Sequence, residues 1–69
     1  MNNLGLNIKN RRLEYEITQD ELAKRIVCSQ PMVKYIENGE KIPSLALSKK
    51  LATALNCKID DLVNGEVKR

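Results

Sequence analysis

At 69 residues, 42% hydrophobic and 30% charged, the chain has the composition of one ordinary soluble domain, small enough to argue against an enzyme with a deep cleft. It contains no Trp or Phe, so the core must be aliphatic, and it contains no His. A net charge of +3 fits either a solvated surface with a slight basic excess or attraction to a polyanion, and charge alone does not choose between them.

The apolar period is helical from end to end. Ile8, Arg12 and Tyr15 share one face of a first helix, with Leu13 close by. Thr18 followed three residues on by Glu21 is a capping box. It opens a second helix with Leu22, Ala23 and Ile26 inward, stopping near Val27. A third helix turns Val33 and Ile36 inward and ends at Asn38-Gly39, two residues that tolerate a positive φ. Pro43-Ser44 opens a fourth, with Ser44 as its cap. Its inner face is Leu47, Leu51 and Leu55, with Ala52 beside them, and Asn56 suits a left-handed end. Ile59 to Val63 form a fifth, short helix, with Asp60 and Asp61 in the first turn where the helix dipole favours anions. Asn64-Gly65 closes it, and Glu66 to Arg69 read as a loose tail. Neither Asn-Gly pair is flanked by the alternation that a β-hairpin needs.

Cys28 and Cys57 are not spaced as zinc ligands, and no His is present to complete a site, so no metal or cofactor is expected. Each cysteine sits in an apolar pattern, which favours a small buried thiol over a disulfide. No apolar run approaches membrane-spanning length, and "MNNLGLNIKN" is not a signal peptide. The expected location is cytoplasmic, with no membrane partner.

The second and third helices meet across Ile26 to Ser29, which is the plan of a helix-turn-helix. Arg12, "ITQDELAKRI" (Ile17 to Ile26), Ser29, "IENG" (Ile36 to Gly39), "PSL" (Pro43 to Leu45), "LATALN" (Leu51 to Asn56) and "IDDLV" (Ile59 to Val63) occur in order. In these residues the chain resembles the lambda-repressor/Cro-like, or XRE, family of prokaryotic transcription regulators, over Ile8 to Val63. The resemblance implies an all-α, compact five-helix DNA-binding domain filling residues 1–69, with its core at about 6–64. Helices 2 and 3 are then the motif, and the third helix, about residues 30–37, enters the major groove of double-stranded DNA.

The same resemblance assigns roles, each with a plainer reading beside it. Gln19 contacts a backbone phosphate, or is a solvated glutamine. Gln30 reads a base, and glutamine can pair with adenine N6 and N7 together; otherwise it is an exposed residue at a helix start. Pro31 and Lys34 join it as base contacts, Lys34 meeting a guanine or simply a phosphate. Tyr35 touches a thymine methyl or a phosphate, or is a half-buried aromatic. Ser29, Met32, Asn38 and Lys41 support or contact the backbone, although Met32 is as readily a packing residue and Lys41 a solvated one. Gly39 is mainly a conformational stop. Lys9 and Arg11 are either phosphate contacts or a solvated face. Arg12 and Glu37 occupy positions that form a partly buried ion pair in the family, which fixes the third helix to the first.

Four residues depart from the family pattern. Val27 and Glu16 stand where glycine is frequent, and Ser48 where an apolar residue is usual. Pro31 disfavours helical angles in the residue before it, so the third helix is expected to start at Pro31 with Gln30 extended.

The function implied is a sequence-specific regulator, in the first instance a repressor, bound as a homodimer to a palindromic operator. Ile59, Leu62 and Val63 are the expected apolar dimer patch, and no small-molecule ligand is expected. The alternative is an antitoxin or protein-interaction module of the same fold. An enzyme fits poorly, because no nucleophile is placed with a base and the Asp60-Asp61 pair is explained by the helix start.

Overall fold

The computed structural model describes residues 4–63, which form five α-helices: α1 (Leu4–Glu14), α2 (Gln19–Arg25), α3 (Gln30–Glu37), α4 (Leu45–Ala54) and α5 (Ile59–Val63). The expected closing turn at Asn64-Gly65 and the tail from Glu66 to Arg69 lie outside the described residues.

Local chemistry starts α2, α4 and α5, and a Ser29 cap does the same for α3. The Thr18 amide donates to Glu21 Oε1 (2.8 Å) and the Glu21 amide donates to Thr18 Oγ1 (3.0 Å), completing the capping box of α2. The Leu47 amide donates to Ser44 Oγ (3.1 Å), so Ser44 caps α4. The Lys58 amide donates to Asp61 Oδ2 (3.1 Å), so an acid of the first turn reaches back to hold the start of α5.

One device ends α1 to α4. In each case a residue just past the helix turns left-handed: Glu16 (φ 57°), Val27 (φ 56°), Gly39 (φ 82°) and Asn56 (φ 57°). The next amide then bonds back five residues: Ile17 to the Arg12 carbonyl, Cys28 to Ala23, Glu40 to Tyr35 and Cys57 to Ala52, at 3.3, 2.8, 2.8 and 2.9 Å. These are Schellman ends, which satisfy carbonyls that a bare helix end leaves orphaned. Gly39 alone takes the positive φ of the Asn38-Gly39 pair; Asn38 stays right-handed at φ −82°.

Val27 has the geometry glycine would supply, despite its branched side chain. That side chain is 83% exposed, so it gains almost nothing from packing. Val27→Gly is therefore expected to stabilise the fold by about 0.5–1 kcal/mol, the relief of left-handed strain less the entropy glycine adds to the unfolded state. A denaturant midpoint that falls on this substitution contradicts the strain.

The core is aliphatic, with Ile8, Leu22, Ile26, Val33, Ile36, Leu51, Leu55 and Leu62 as its largest fully buried side chains. Two expectations about faces are corrected. The inner face of α1 is Leu4, Asn7, Ile8 and Arg12, whereas Leu13 and Tyr15 are exposed. Tyr15 lies past the end of α1, where the turn through Glu16 redirects the backbone. Leu62 belongs to the core and is 0% exposed, so it is unavailable to a dimer patch. A one-turn helix needs an apolar anchor, and Leu62 is that anchor for α5. Of the expected patch, Val63 is exposed and Ile59 is half-buried against the core. Ser48 is buried on α4.

Two contacts set how α1 sits. Asn7 Nδ2 donates to the Leu62 carbonyl (2.9 Å), joining α1 to the end of α5. Gly5 lies against the end of α3, where an added Cβ would run into the Ile36 carbonyl oxygen and come within 2.7 Å of that of Glu37.

Candidate nucleic-acid interface

The helix-turn-helix brings the first residue of α2, Gln19, beside the first residue of α3, Gln30: Gln30 Nε2 donates to Gln19 Oε1 at 3.4 Å. Ser29 caps α3 from an extended conformation (φ −85°, ψ 153°) and accepts from the Met32 amide at 3.3 Å. Gln30 is therefore inside the helix, and the expectation of an extended Gln30 with α3 starting at Pro31 is overturned. The steric bias before proline is local. It is outweighed by the Ser29 cap, by the Val33 amide bonding the Ser29 carbonyl (3.3 Å), and by the burial of Val33 and Ile36. Pro31 sits in the first turn, where a missing N–H leaves no helical bond unmade.

Behind α3, Arg12 grips Glu37. Arg12 Nε donates to Glu37 Oε2 (2.7 Å) and Nη2 to Oε1 (3.1 Å), while Nη1 donates to the Ile17 carbonyl (2.9 Å). The Glu37 side chain is 1% exposed. This two-pronged, buried pair ties α1 to the last residue of α3. Gln19 Nε2 also donates to Glu37 Oε1 (3.0 Å), a bond the sequence did not suggest.

With Val33, Ile36 and Glu37 turned inward, the outer face of α3 is Gln30, Pro31, Lys34 and Tyr35, all exposed. Gln30 and Lys34 are one turn apart, as are Pro31 and Tyr35, so the four form a two-lane stripe along about 7.5 Å of helix. The stripe carries a cation and no acid. Met32 is half-buried and packs on the core, which favours its structural reading. Beyond α3, the Glu40 and Lys41 amides both donate to the Tyr35 carbonyl (2.8 and 3.3 Å), folding the loop back on the helix. Lys41 Nζ then lies 6.0 Å from the centre of the Tyr35 ring, at cation–π range. Asn38, Gly39 and Lys41 are exposed beside the stripe. On α2 the exposed Lys24–Asp20 pair (3.5 Å) contributes little.

The cysteines are free and half-buried. Burial pushes the Cys57 thiol up, with Asp61 adding and Arg11 opposing, so it stays protonated and is a weak nucleophile. No helix among the described residues is long and apolar enough to cross a membrane.

A helix-turn-helix family model matches residues 8–62. The protein is 40% identical over 55 residues to an HTH-type transcriptional regulator of Archaeoglobus fulgidus, covering 80% of this chain and 78% of that one. It is 33% identical over 64 residues to the ImmF control region 10 kDa protein of Bacillus phage phi105, covering 93% and 71%. Its fold is similar to the P22 c2 repressor solved in complex with a synthetic operator, with TM-score 0.88, 30% identity and 91% and 96% of the two chains covered. The solution structure of the P22 c2 DNA-binding domain gives TM-score 0.90 at 29% identity, covering 94% and 86%.

Proposed function

The chain belongs to the XRE-type helix-turn-helix family of DNA-binding transcriptional regulators, which are not enzymes, and from that premise we propose that it is a repressor that binds a palindromic operator as a homodimer. Each protomer lays α3 in the major groove and reads one half-site. The observation that carries this reading is the outward stripe of Gln30, Pro31, Lys34 and Tyr35 on a helix whose inner face is pinned by Val33, Ile36 and Glu37. A groove-reading helix needs polar side chains outward and a rigid back, and α3 has both.

Gln30, Pro31, Lys34 and Tyr35 face the base edges. Gln19, Asn38 and Lys41 meet phosphates, and Ser29 and Met32 support the start of α3. The positive dipole ends at the α2 and α3 starts add to the attraction for phosphate. One short helix reads few base pairs, and two-fold symmetry doubles the site. Val63, with the edge of Ile59, is what remains exposed of the apolar patch for that dimer. Residues 1–69 act as one cytoplasmic DNA-binding domain in this reading, without a small-molecule ligand.

Selection from random duplexes tests the proposal: the recovered site is expected to be palindromic, with half-sites about one helical turn apart. An enriched site with no two-fold symmetry contradicts the dimer. On the selected site, Gln30→Ala is expected to weaken binding by about 1–3 kcal/mol while leaving random DNA nearly unchanged. Lys41→Ala should weaken both alike and lower the slope of log affinity against log salt by about 0.9. Fluorescence anisotropy at several salt concentrations separates the two; a Lys41 effect confined to the selected site removes its phosphate role.

A further inference from the structure

The side-chain amide of Gln30 has two settings, related by a half-turn of its last torsion, that show opposite donor and acceptor patterns to a base edge. A relay of hydrogen bonds selects one. The salt-bridged carboxylate of Glu37 accepts hydrogen bonds and offers none. Gln19 therefore turns its NH₂ toward Glu37 (3.0 Å), which leaves its own oxygen facing Gln30. Gln30 answers with its NH₂ (3.4 Å). The opposite setting would bring two amide oxygens together. What remains on Gln30 is one N–H and one oxygen. That pair matches adenine N7 and N6, whereas guanine, with two acceptors, needs two donors. The second N–H of Gln19 stays available for a phosphate.

We propose that Glu37, buried and out of reach of DNA, is a positioning residue that sets the amide polarity of Gln30 through Gln19, and so the preference for A·T at the base pair Gln30 reads. The inference rests on α3 reading bases through Gln30. It adds that the Arg12–Glu37 pair, a structural element, also writes part of the specificity.

The test measures affinities for four duplexes that carry the selected site and differ only at the Gln30 base pair. The wild-type protein should prefer A·T there. Glu37→Gln and Gln19→Met are each expected to lower that preference about tenfold, the loss of an oriented bidentate contact. A merely structural role, or a phosphate contact alone, would weaken all four duplexes equally, and that result overturns the inference. Gln19→Met leaves the Arg12–Glu37 pair in place and decides the matter even where Glu37→Gln does not fold, which a thermal melt reveals. Gln30→Ala is the control for the underlying reading. If it leaves the four affinities in their wild-type ratio, Gln30 reads no base and the reading beneath the inference falls with it. If it abolishes the preference while Gln19→Met does not, only the relay fails.

Discussion

Arg12→Ala is expected to lower the unfolding free energy by about 3–5 kcal/mol, and Arg11→Ala by less than about 0.5 kcal/mol. The two arginines are neighbours on α1 with the same charge, so the comparison cancels net charge and helix propensity. They differ in surroundings. Arg12 is buried and spends three donors on Glu37 and the Ile17 carbonyl, whereas Arg11 is half-buried. Truncating Arg12 strands a carboxylate whose side chain is 1% exposed, with only the Gln19 amide to solvate it. The Ile17 carbonyl also loses a donor. A domain of this size holds only about 5–10 kcal/mol in total, so the variant should be substantially unfolded at physiological temperature. Removing both charges, as in Arg12→Met with Glu37→Leu, should recover most of the loss, because the penalty lies in the stranded charge. Denaturant titrations of the three variants check this. Equal midpoints for Arg12→Ala and Arg11→Ala contradict the ion pair's role.

Gly5→Ala should be destabilising by about 1–3 kcal/mol, although it is a glycine-to-alanine change inside a helix. Helix propensity alone predicts a gain of up to about 1 kcal/mol, so the sign separates the two effects. Close approach wins because the obstacles are backbone carbonyls of Ile36 and Glu37 rather than the tips of flexible side chains. Those carbonyls sit at the end of α3, where the Ile36 oxygen also accepts the Gly39 amide (3.1 Å) and is not free to swing away. A methyl group at Gly5 must lift α1 from α3, loosening the Arg12–Glu37 fork as well. A thermal melt in which Gly5→Ala gains stability contradicts the packing of α1 on α3.

What the sequence reveals before folding is mostly local. Thr18 and Glu21 lie three apart and cap within one turn, and Ser44 caps α4 the same way. Such signals are legible because both partners sit in the same stretch. The stripe on α3 is legible as well, since burying Val33 and Ile36 leaves Gln30, Lys34 and Tyr35 outward by helical period alone. The resemblance locates the motif and places Arg12 opposite Glu37.

The misses have three physical causes: turn and cap geometry that overrides a simpler local rule, an element too short to show its period, and contacts between residues far apart in sequence. The steric rule for a residue before proline is local, and it loses to a cap and a buried helix face that fix Gln30 in α3. Tyr15 matches the period of α1 but lies beyond its end, because the turn at Glu16 is set by a Schellman bond from Ile17 to Arg12. Leu62 reads as surface because a five-residue helix has too little period to show which side is inside. Gly5 and Asn7 carry no signal at all: one is needed for the approach of α3, the other for the Leu62 carbonyl, and both partners are distant in sequence. Val27 is legible as a misfit to glycine geometry, but only the fold shows that it accepts that geometry.

The central claim is that α3 reads a specific sequence in double-stranded DNA. The most direct measurement is the ratio of dissociation constants for the best selected duplex and a scrambled duplex of equal length, at one physiological salt concentration. A specific regulator should show a ratio of about 10³ or more, falling by about tenfold or more in Gln30→Ala. A ratio near one, unchanged by that substitution, would contradict it and leave only electrostatic attachment to the phosphate backbone.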